Sequence, residues 1–481
     1  MFSPAGAAHG RGSGADQRCA ARCLGAPERT RGGFGDKIGA ALSVPGPTAP
    51  ASRGSRRAAG PRRALPRARD SGLWLSGYAS SLVGDQIFYV ALTWAAVSIM
   101  SPAKVGLVLV LGSLPRAAVL LAGGVLVDRV GPKRIIIVSD VLRTVVMVAA
   151  ALALGVGLTG TVLIGVLAAV FGFVDGFFLP AVGAAPAFVT TQDGQTRLQA
   201  LRTIVYRGAP MIGAPLASAL LVAYGTAAAF GVAAILFAGS VAALSMTRMT
   251  RPDPGPAPGD DPGQPSSVFG EIRDGLRLIV SDRRLLVVVT VLAILDFGFA
   301  GPTTAGVPLL ANEQGWGPRG IGWILGGFGV GAVATAAVLA SRRPTVRAGV
   351  VAAVGLTMMS VGLISLGLVE QLQLRSTSGM ALAGACGAFA GIGTGLFGTL
   401  VNASLVMMTP VRQLGRLMAA VSLSGYLGDP LSFSLTGIAA EGLGASSTFL
   451  FGGGLIMVAV IITWVSPAIR TLTLPGTTRR S

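Results

Sequence analysis

Histidine is all but missing from this chain: His9 is the only one in 481 residues. It lies in an N-terminal stretch without apolar runs, which excludes a buried histidine proton relay. Cysteine is scarce as well. Cys19 and Cys23 share the same stretch, and Cys386 falls in an apolar run. Three such positions make no disulfide framework, and a lone pair of cysteines four apart is a weak metal signal. Charge is the third shortage. Asp, Glu, Lys and Arg make up 12% of the chain, against about 25% in a soluble domain. No Gly-rich loop ending in Gly-Lys-Ser/Thr occurs, so ATP is not the driver. No His/Cys/acid cluster offers a metal site. The chain is expected to hold no cofactor and no metal, and to be no enzyme.

What it has instead is apolar residues, 52% of the total, and 70 glycines. Few charges, long apolar runs and small residues that let helices approach closely describe an all-α membrane protein with many spans. The formal charge is +18. In a soluble protein that excess would point to nucleic acid. Here it lies in the N-terminal stretch and in loops on one face, so the expected partners are the lipid bilayer and a small-molecule substrate, with no nucleic acid.

A helix needs about 20 apolar residues to cross the hydrocarbon core. Runs of that kind fall at 73–99, 104–126, 135–156, 161–189, 199–223, 226–247, 285–310, 318–340, 348–369, 380–405, 415–440 and 446–467. These are twelve transmembrane helices. Loop charges test the count. Arg129, Lys133, Arg134, Arg197, Arg248, Arg251, Arg342, Arg343, Arg347, Arg412 and Arg416 fall on one side, and only Lys104, Arg319 and Arg375 on the other. A missed span would invert that bias partway. The positive-inside rule then puts both termini in the cytoplasm and the chain in the cytoplasmic membrane.

The organisation follows. Residues 1–70, rich in Arg, Ala, Gly and Pro, are expected to be disordered. A cytosolic basic tail near anionic lipid and an over-extended gene start both account for them. Residues 71–247 form a first six-helix half, 248–284 a cytoplasmic linker, 285–470 a second six-helix half, and 471–481 a cytoplasmic tail. Within the linker, Arg251–Ser267 is rich in Pro, Gly and Asp and reads as flexible. Val268, Phe269, Ile272, Leu276 and Ile279 then recur at helical spacing, which predicts an amphipathic surface helix. Trp74, Trp316 and Trp464 fall where aromatic rings would meet the membrane interfaces. The two halves can work as a monomer.

An ionised side chain at mid-membrane costs at least about 2.5–3.5 kcal/mol, so those present need a reason. Four acids lie near the middle of spans: Asp85, Asp175, Asp296 and Asp429. Arg116, Arg143 and Arg207 also lie inside spans, and Arg202 sits near the end of one. A partly desolvated carboxylate favours its neutral form, which suits a proton carrier, and a nearby arginine opposes that. These residues are the candidates for a proton and substrate pathway; permanent buried ion pairs that hold helices together are the alternative. Asp140 and Arg143, three apart on one helix face, fit a supporting ion pair. Glycines cluster in spans 8 (Gly322, Gly326, Gly327, Gly329, Gly331) and 10 (Gly384, Gly387, Gly391, Gly395, Gly398), where a spacing of four puts them on one face for close helix packing.

Between the second and third spans runs Gly124-Val-Leu-Val-Asp128-Arg129-Val-Gly131-Pro132-Lys133-Arg134. A loop this short makes its two helices an antiparallel pair and concentrates one acid and three bases at one face. The pattern resembles the loop between helices 2 and 3 of the major facilitator superfamily. The resemblance covers about 70–470 and implies that superfamily's fold, two six-helix halves, with helices 1, 4, 7 and 10 lining a central cavity. Asp85, Asp175 and Asp296 would then face one water-filled path. It also implies that Gly124, Asp128, Arg129, Gly131, Lys133 and Arg134 form a cytoplasmic gate that braces the halves. The corresponding loop of the second half, Ser341-Arg342-Arg343-Pro344, keeps the bases but lacks the acid and the glycine turn. Gly84-Asp85, Leu114-Pro115-Arg116, Ser139-Asp140 with Arg143, and the Glu271–Leu278 stretch are similar to the branch of enterobactin exporters and macrolide-efflux proteins. Gly208–Pro215 is similar to the Gly-Pro motif of antiporters but has Ala214 between the two. The implied function is proton-driven efflux of a drug-like, macrolide-like or siderophore compound by an antiporter of the multidrug-resistance kind. Uptake of a nutrient on the same fold and a non-transporting membrane sensor are the alternatives.

Overall fold

The computed structural model describes residues 68–190, 192–250, 279–341, 348–372, 377–408 and 411–466, with Arg273 and Arg277 besides. The expectations for His9, Cys19 and Cys23, for the flexible linker and most of the amphipathic segment, for the loop after Ser341 and for the C-terminal tail lie outside them.

The described residues are helical throughout: α1 (Ala68–Val97), α2 (Pro102–Val130), α3 (Pro132–Gly155), α4 (Thr161–Ala184), the single turn α5 (Pro186–Val189), α6 (Gln192–Met246), α7 (Arg283–Gly301), α8 (Val307–Glu313), α9 (Gly317–Ser341), α10 (Ala348–Leu368), α11 (Thr377–Met408), α12 (Val411–Leu443) and α13 (Ala445–Val465). Among the described residues, nine helices are long and apolar enough to cross a membrane. One of the nine, the 50-residue stretch Arg197–Met246 in α6, is two spans, because Gly225 breaks it at φ 79° and ψ −177°. Helices α1 and α12 have 30 and 33 residues; their polar residues, Asp85 and Asp429 among them, keep them off the apolar count. With these the architecture is the twelve-helix one expected, an all-α membrane protein.

Local chemistry sets the turns. Proline stands at the first turn of α2 and of α3, where the missing N–H is no loss. Gly131 alone separates α2 from α3, with φ 91°, a conformation that a side chain disfavours. The seventh span is less regular than its sequence indicated. A π-helical turn, Pro302–Gly306, joins α7 to α8. Pro302 cannot supply its backbone N–H, and Gly301 N–H turns sideways to Ser432 Oγ at 2.9 Å. Such turns recur at functional sites.

Three hydrophobic cores hold the bundle. One is confined to α1–α6 and contains Trp74, Tyr78, Ile135, Phe178 and Leu244. One is confined to the helices from Ile279 onward and contains Leu285, Leu356, Phe397 and Val460. The third is shared, and joins Phe88, Val105 and Phe230 to Leu310, Trp316 and Phe449. The shared core lies toward the end of the bundle opposite the chain termini. The halves are therefore packed together at that end and hold separate cores toward the other. Trp74 and Trp316 are buried within these cores, and Trp74 stacks on Tyr78 with ring centres 5.6 Å apart, so both rings pack on protein. Trp464 remains partly exposed.

Glycine sets the closest helix contacts. A Cβ on Gly172 would overlap the Gly112 carbonyl, so α4 lies directly on α2. Gly327 meets Gly384, Gly331 meets Ala388, and Gly391 meets Phe328 in the same way, which joins α9 to α11.

Candidate functional site

Four helices of the first half converge on a buried charge network. Arg143 on α3 is fully buried, and so is Asp140 one turn before it. Arg143 Nη1 lies 3.3 Å from Asp140 Oδ1 and 3.5 Å from Asp85 Oδ1 on α1. Its Nη2 pairs with Asp175 on α4. Asp175 in turn meets Arg116 Nε on α2 at 2.9 Å. The Arg143 guanidinium also lies over the Phe178 ring at 4.1 Å, a cation–π contact in a dry setting.

The three carboxylates are not held equally. Asp140 accepts hydrogen bonds from Ser81 Oγ at 3.0 Å and from Ser240 Oγ at 2.6 Å, besides Arg143. Asp175 has two guanidiniums. Asp85 Oδ1 is buried and accepts no hydrogen bond. Three acids (Asp85, Asp140, Asp175) face two bases (Arg116, Arg143), so one negative charge is in excess when all are ionised. A buried charge without a partner is costly, and Asp85 is the most loosely held of the three acids.

A cavity of about 660 Å³ lies between the halves. Its wall is mostly apolar, with Phe299, Phe328 and Phe433 from the second half. Among the described residues, Arg116, Arg207 and Asp429 are its charged lining residues. Thr303 and Thr304, from the π-helical turn, add hydroxyls. Asp85 and Asp175 are absent from this wall and sit behind Arg116, so the expectation that Asp85, Asp175 and Asp296 share one water-filled path is not met in this conformation. The reason is packing: Arg143, placed by α3, draws both acids inward. Asp296 is exposed on α7, with Oδ2 3.2 Å from where a Cβ on Gly425 would lie; its acidic neighbour is Asp429.

Arg116 links the network to the cavity. One edge meets Asp175, its Nη1 donates to Tyr89 OH at 3.3 Å, and its guanidinium lies 4.9 Å from the centre of the Tyr426 ring on α12. A side chain of the first half thus reads the second half directly.

Comparisons with known proteins bear on the fold that carries this network. Residues 74–387 match the family model of the Major Facilitator Superfamily. The chain belongs to the major facilitator superfamily. It is 24% identical over 407 residues to YfiS, an uncharacterized MFS-type transporter of Bacillus subtilis (strain 168), covering 82% of this chain and 92% of that one. A D-xylose–proton symporter superposes with a TM-score of 0.62 at 14% identity, over 84% of this chain and 98% of that one. A POT family transporter in complex with 5-aminolevulinic acid superposes with a TM-score of 0.61 at 13% identity, over 82% of this chain and 95% of that one. The protein is a multi-pass secondary transporter of a small molecule rather than an enzyme.

The signature loop of this transporter is partly described. Lys133 Nζ donates to Thr247 O at 2.7 Å and Ser245 O at 3.0 Å, and so caps the C-terminal end of α6, where a cation suits the helix dipole. Arg129 and Arg134 are exposed. The Gly124 and Asp128 side positions lie outside the described residues. At the opposite end, Glu441 of α12 reaches across the halves. Its Oε2 accepts from Ala103 N–H at 2.8 Å and Ser101 Oγ at 3.2 Å, at the start of α2, and the backbones of Gly106 and Gly437 touch beside it. Glu313 caps α13 likewise, accepting from Ala445 N–H at 2.9 Å.

Sequence reasoning passed over Tyr89, Tyr426, Ser81, Ser240 and Glu441. Ser240 is one of four hydroxyl residues in span 6, with Thr226, Ser245 and Thr247, and nothing in the sequence sets it apart from them. The others look like ordinary membrane-helix residues until the fold brings them to a charge.

Proposed function

We propose that this transporter exports a small amphipathic compound, of the drug, macrolide or siderophore kind, across the cytoplasmic membrane in exchange for protons, with both termini in the cytoplasm. The single observation behind this reading is the buried network with one carboxylate in excess, Asp85 being its loosest member. Asp85 takes up a proton when the cavity faces outward. The neutral acid releases Arg143 toward Asp140 and Asp175, and Arg116, shared by Asp175 and the cavity wall, adjusts with it. When the cavity faces inward, the proton leaves to the cytoplasm, the carboxylate re-ionises, and substrate enters. Alternating access requires the halves to rock about this midplane region. The positive-inside orientation makes the present conformation, packed at the end opposite the termini, an inward-facing one.

Everted membrane vesicles test this directly. Substrate accumulation in energised vesicles, abolished by a proton uncoupler and by Asp85→Asn, is the expected result. Uncoupler-insensitive movement, or loss of substrate from the vesicles on energisation, would point to a facilitator or an importer instead. Export that survives Asp85→Asn would make Asp85 structural.

A further inference from the structure

The charges on the cavity wall are not matched. Arg116 is paired with Asp175 at 2.9 Å, and Asp429 lies in the attractive field of the same Arg116 guanidinium. Arg207 on α6 is different. It is exposed within the cavity lining, and among the described residues it makes neither an ion pair nor a hydrogen bond. Its guanidinium extends toward α11 of the other half, where a Cβ on Gly398 would come within 2.9 Å of Nη1. The absence of a side chain at that position leaves the guanidinium room. The same cavity presents Phe299 and Phe328, packed at 5.3 Å between ring centres, and Met211 one turn along from Arg207.

We infer that the site selects an amphipathic organic anion: a carboxylate, sulfonate or phosphate group on Arg207 and an apolar, ring-bearing body against the aromatic wall. This rests on the cavity being the transport site, as proposed above, and adds the charge of what enters it. An arginine exposed to a largely apolar space has few partners besides water, and a planar guanidinium matches an oxyanion with two parallel hydrogen bonds. A cationic substrate would be repelled by this guanidinium, whereas Asp429, the one wall acid among the described residues, already lies in the attractive field of Arg116. The closeness of Arg207 to α11 also lets an anion held there touch both halves, so that occupancy is felt by both.

The test uses the full chain in phosphatidylcholine nanodiscs, without anionic lipid to compete. Two fluorescent probes share one body: an anilinonaphthalene sulfonate and the neutral N-phenylnaphthylamine. Titrations are corrected against empty nanodiscs, and ethidium serves as the cationic probe. The wild type should bind the sulfonate more tightly than the neutral probe or ethidium. Arg207→Gln should weaken the sulfonate about tenfold, the loss of one charge-assisted pair, and leave the neutral probe unchanged, which also shows that the variant is folded. Arg207→Lys should fall between. A wild type that does not bind the sulfonate, a preference for ethidium, or equal loss of both naphthalene probes in Arg207→Gln would overturn the inference. Uncoupler-sensitive export of neutral or cationic compounds that is indifferent to Arg207→Gln would sink the anion site while leaving proton-driven export standing.

Discussion

Replacing Arg143 by methionine keeps most of the side-chain volume and removes the charge. In the structure that charge is in contact with Asp85, Asp140 and Asp175 at once, in a setting with no access to solvent. With Arg116 alone remaining, three acids face one base. Removing one partner of a buried pair costs about 3–5 kcal/mol, and here at least two carboxylates lose theirs. That is a large part of the roughly 5–15 kcal/mol by which a folded protein is stable. It should lower the melting temperature of the detergent-solubilised protein by on the order of 5 °C or more, followed by tryptophan fluorescence. Asp85→Asn changes the same network in the opposite sense. It leaves Asp140 and Asp175 against Arg116 and Arg143, two acids and two bases, and should melt within about 2 °C of wild type or above it. Two such similar-sounding changes with opposite signs test the charge count rather than the mere presence of buried polar groups. If Arg143→Met melts like wild type, or Asp85→Asn is as damaging as Arg143→Met, the account of a network with one carboxylate in excess is wrong.

Other outcomes follow from separate contacts. Gly172→Ala places a methyl group on the Gly112 carbonyl and must part α2 from α4; overpacking of this kind costs about 1–3 kcal/mol, read as a lower melting temperature, while Gly183→Ala, where nothing lies within 4 Å, should be neutral. Glu441→Gln removes the charge from the bond across the halves to Ala103, and charge-assisted bonds are about twice as strong as neutral ones. It should raise the labelling rate of a cysteine placed at Arg207 by an impermeant maleimide added from the side opposite the termini; an unchanged rate would show that the Glu441 contact does not hold the halves together. Lys133→Ala frees two terminal carbonyls of α6 and should slow transport with little change in melting temperature if the loop acts as the gate its resemblance implies; normal transport would show that this lysine has no part in the transport cycle.

The sequence alone determined the number of crossings, because a crossing is a local quantity: about 20 apolar residues in a row. It also located the turn at Gly131 and the mid-span charges, since a charge in an apolar run stands out without any knowledge of its neighbours. Gly225 was legible only as a boundary between spans 5 and 6. Which charges meet was not legible. Asp140 and Arg143 are one turn apart and could be paired on paper, but Arg143 with Asp85 and Asp175 joins residues 58 and 32 positions distant, and only the packing of α1, α3 and α4 brings them together. The same packing turned Asp85 and Asp175 away from the cavity and left Arg116 and Arg207 on its wall. Hydropathy reports how far each residue stands from water, whereas a site is set by rotation of each helix about its axis, and that rotation is fixed by contacts such as Gly112 on Gly172 that exist only in the assembled bundle.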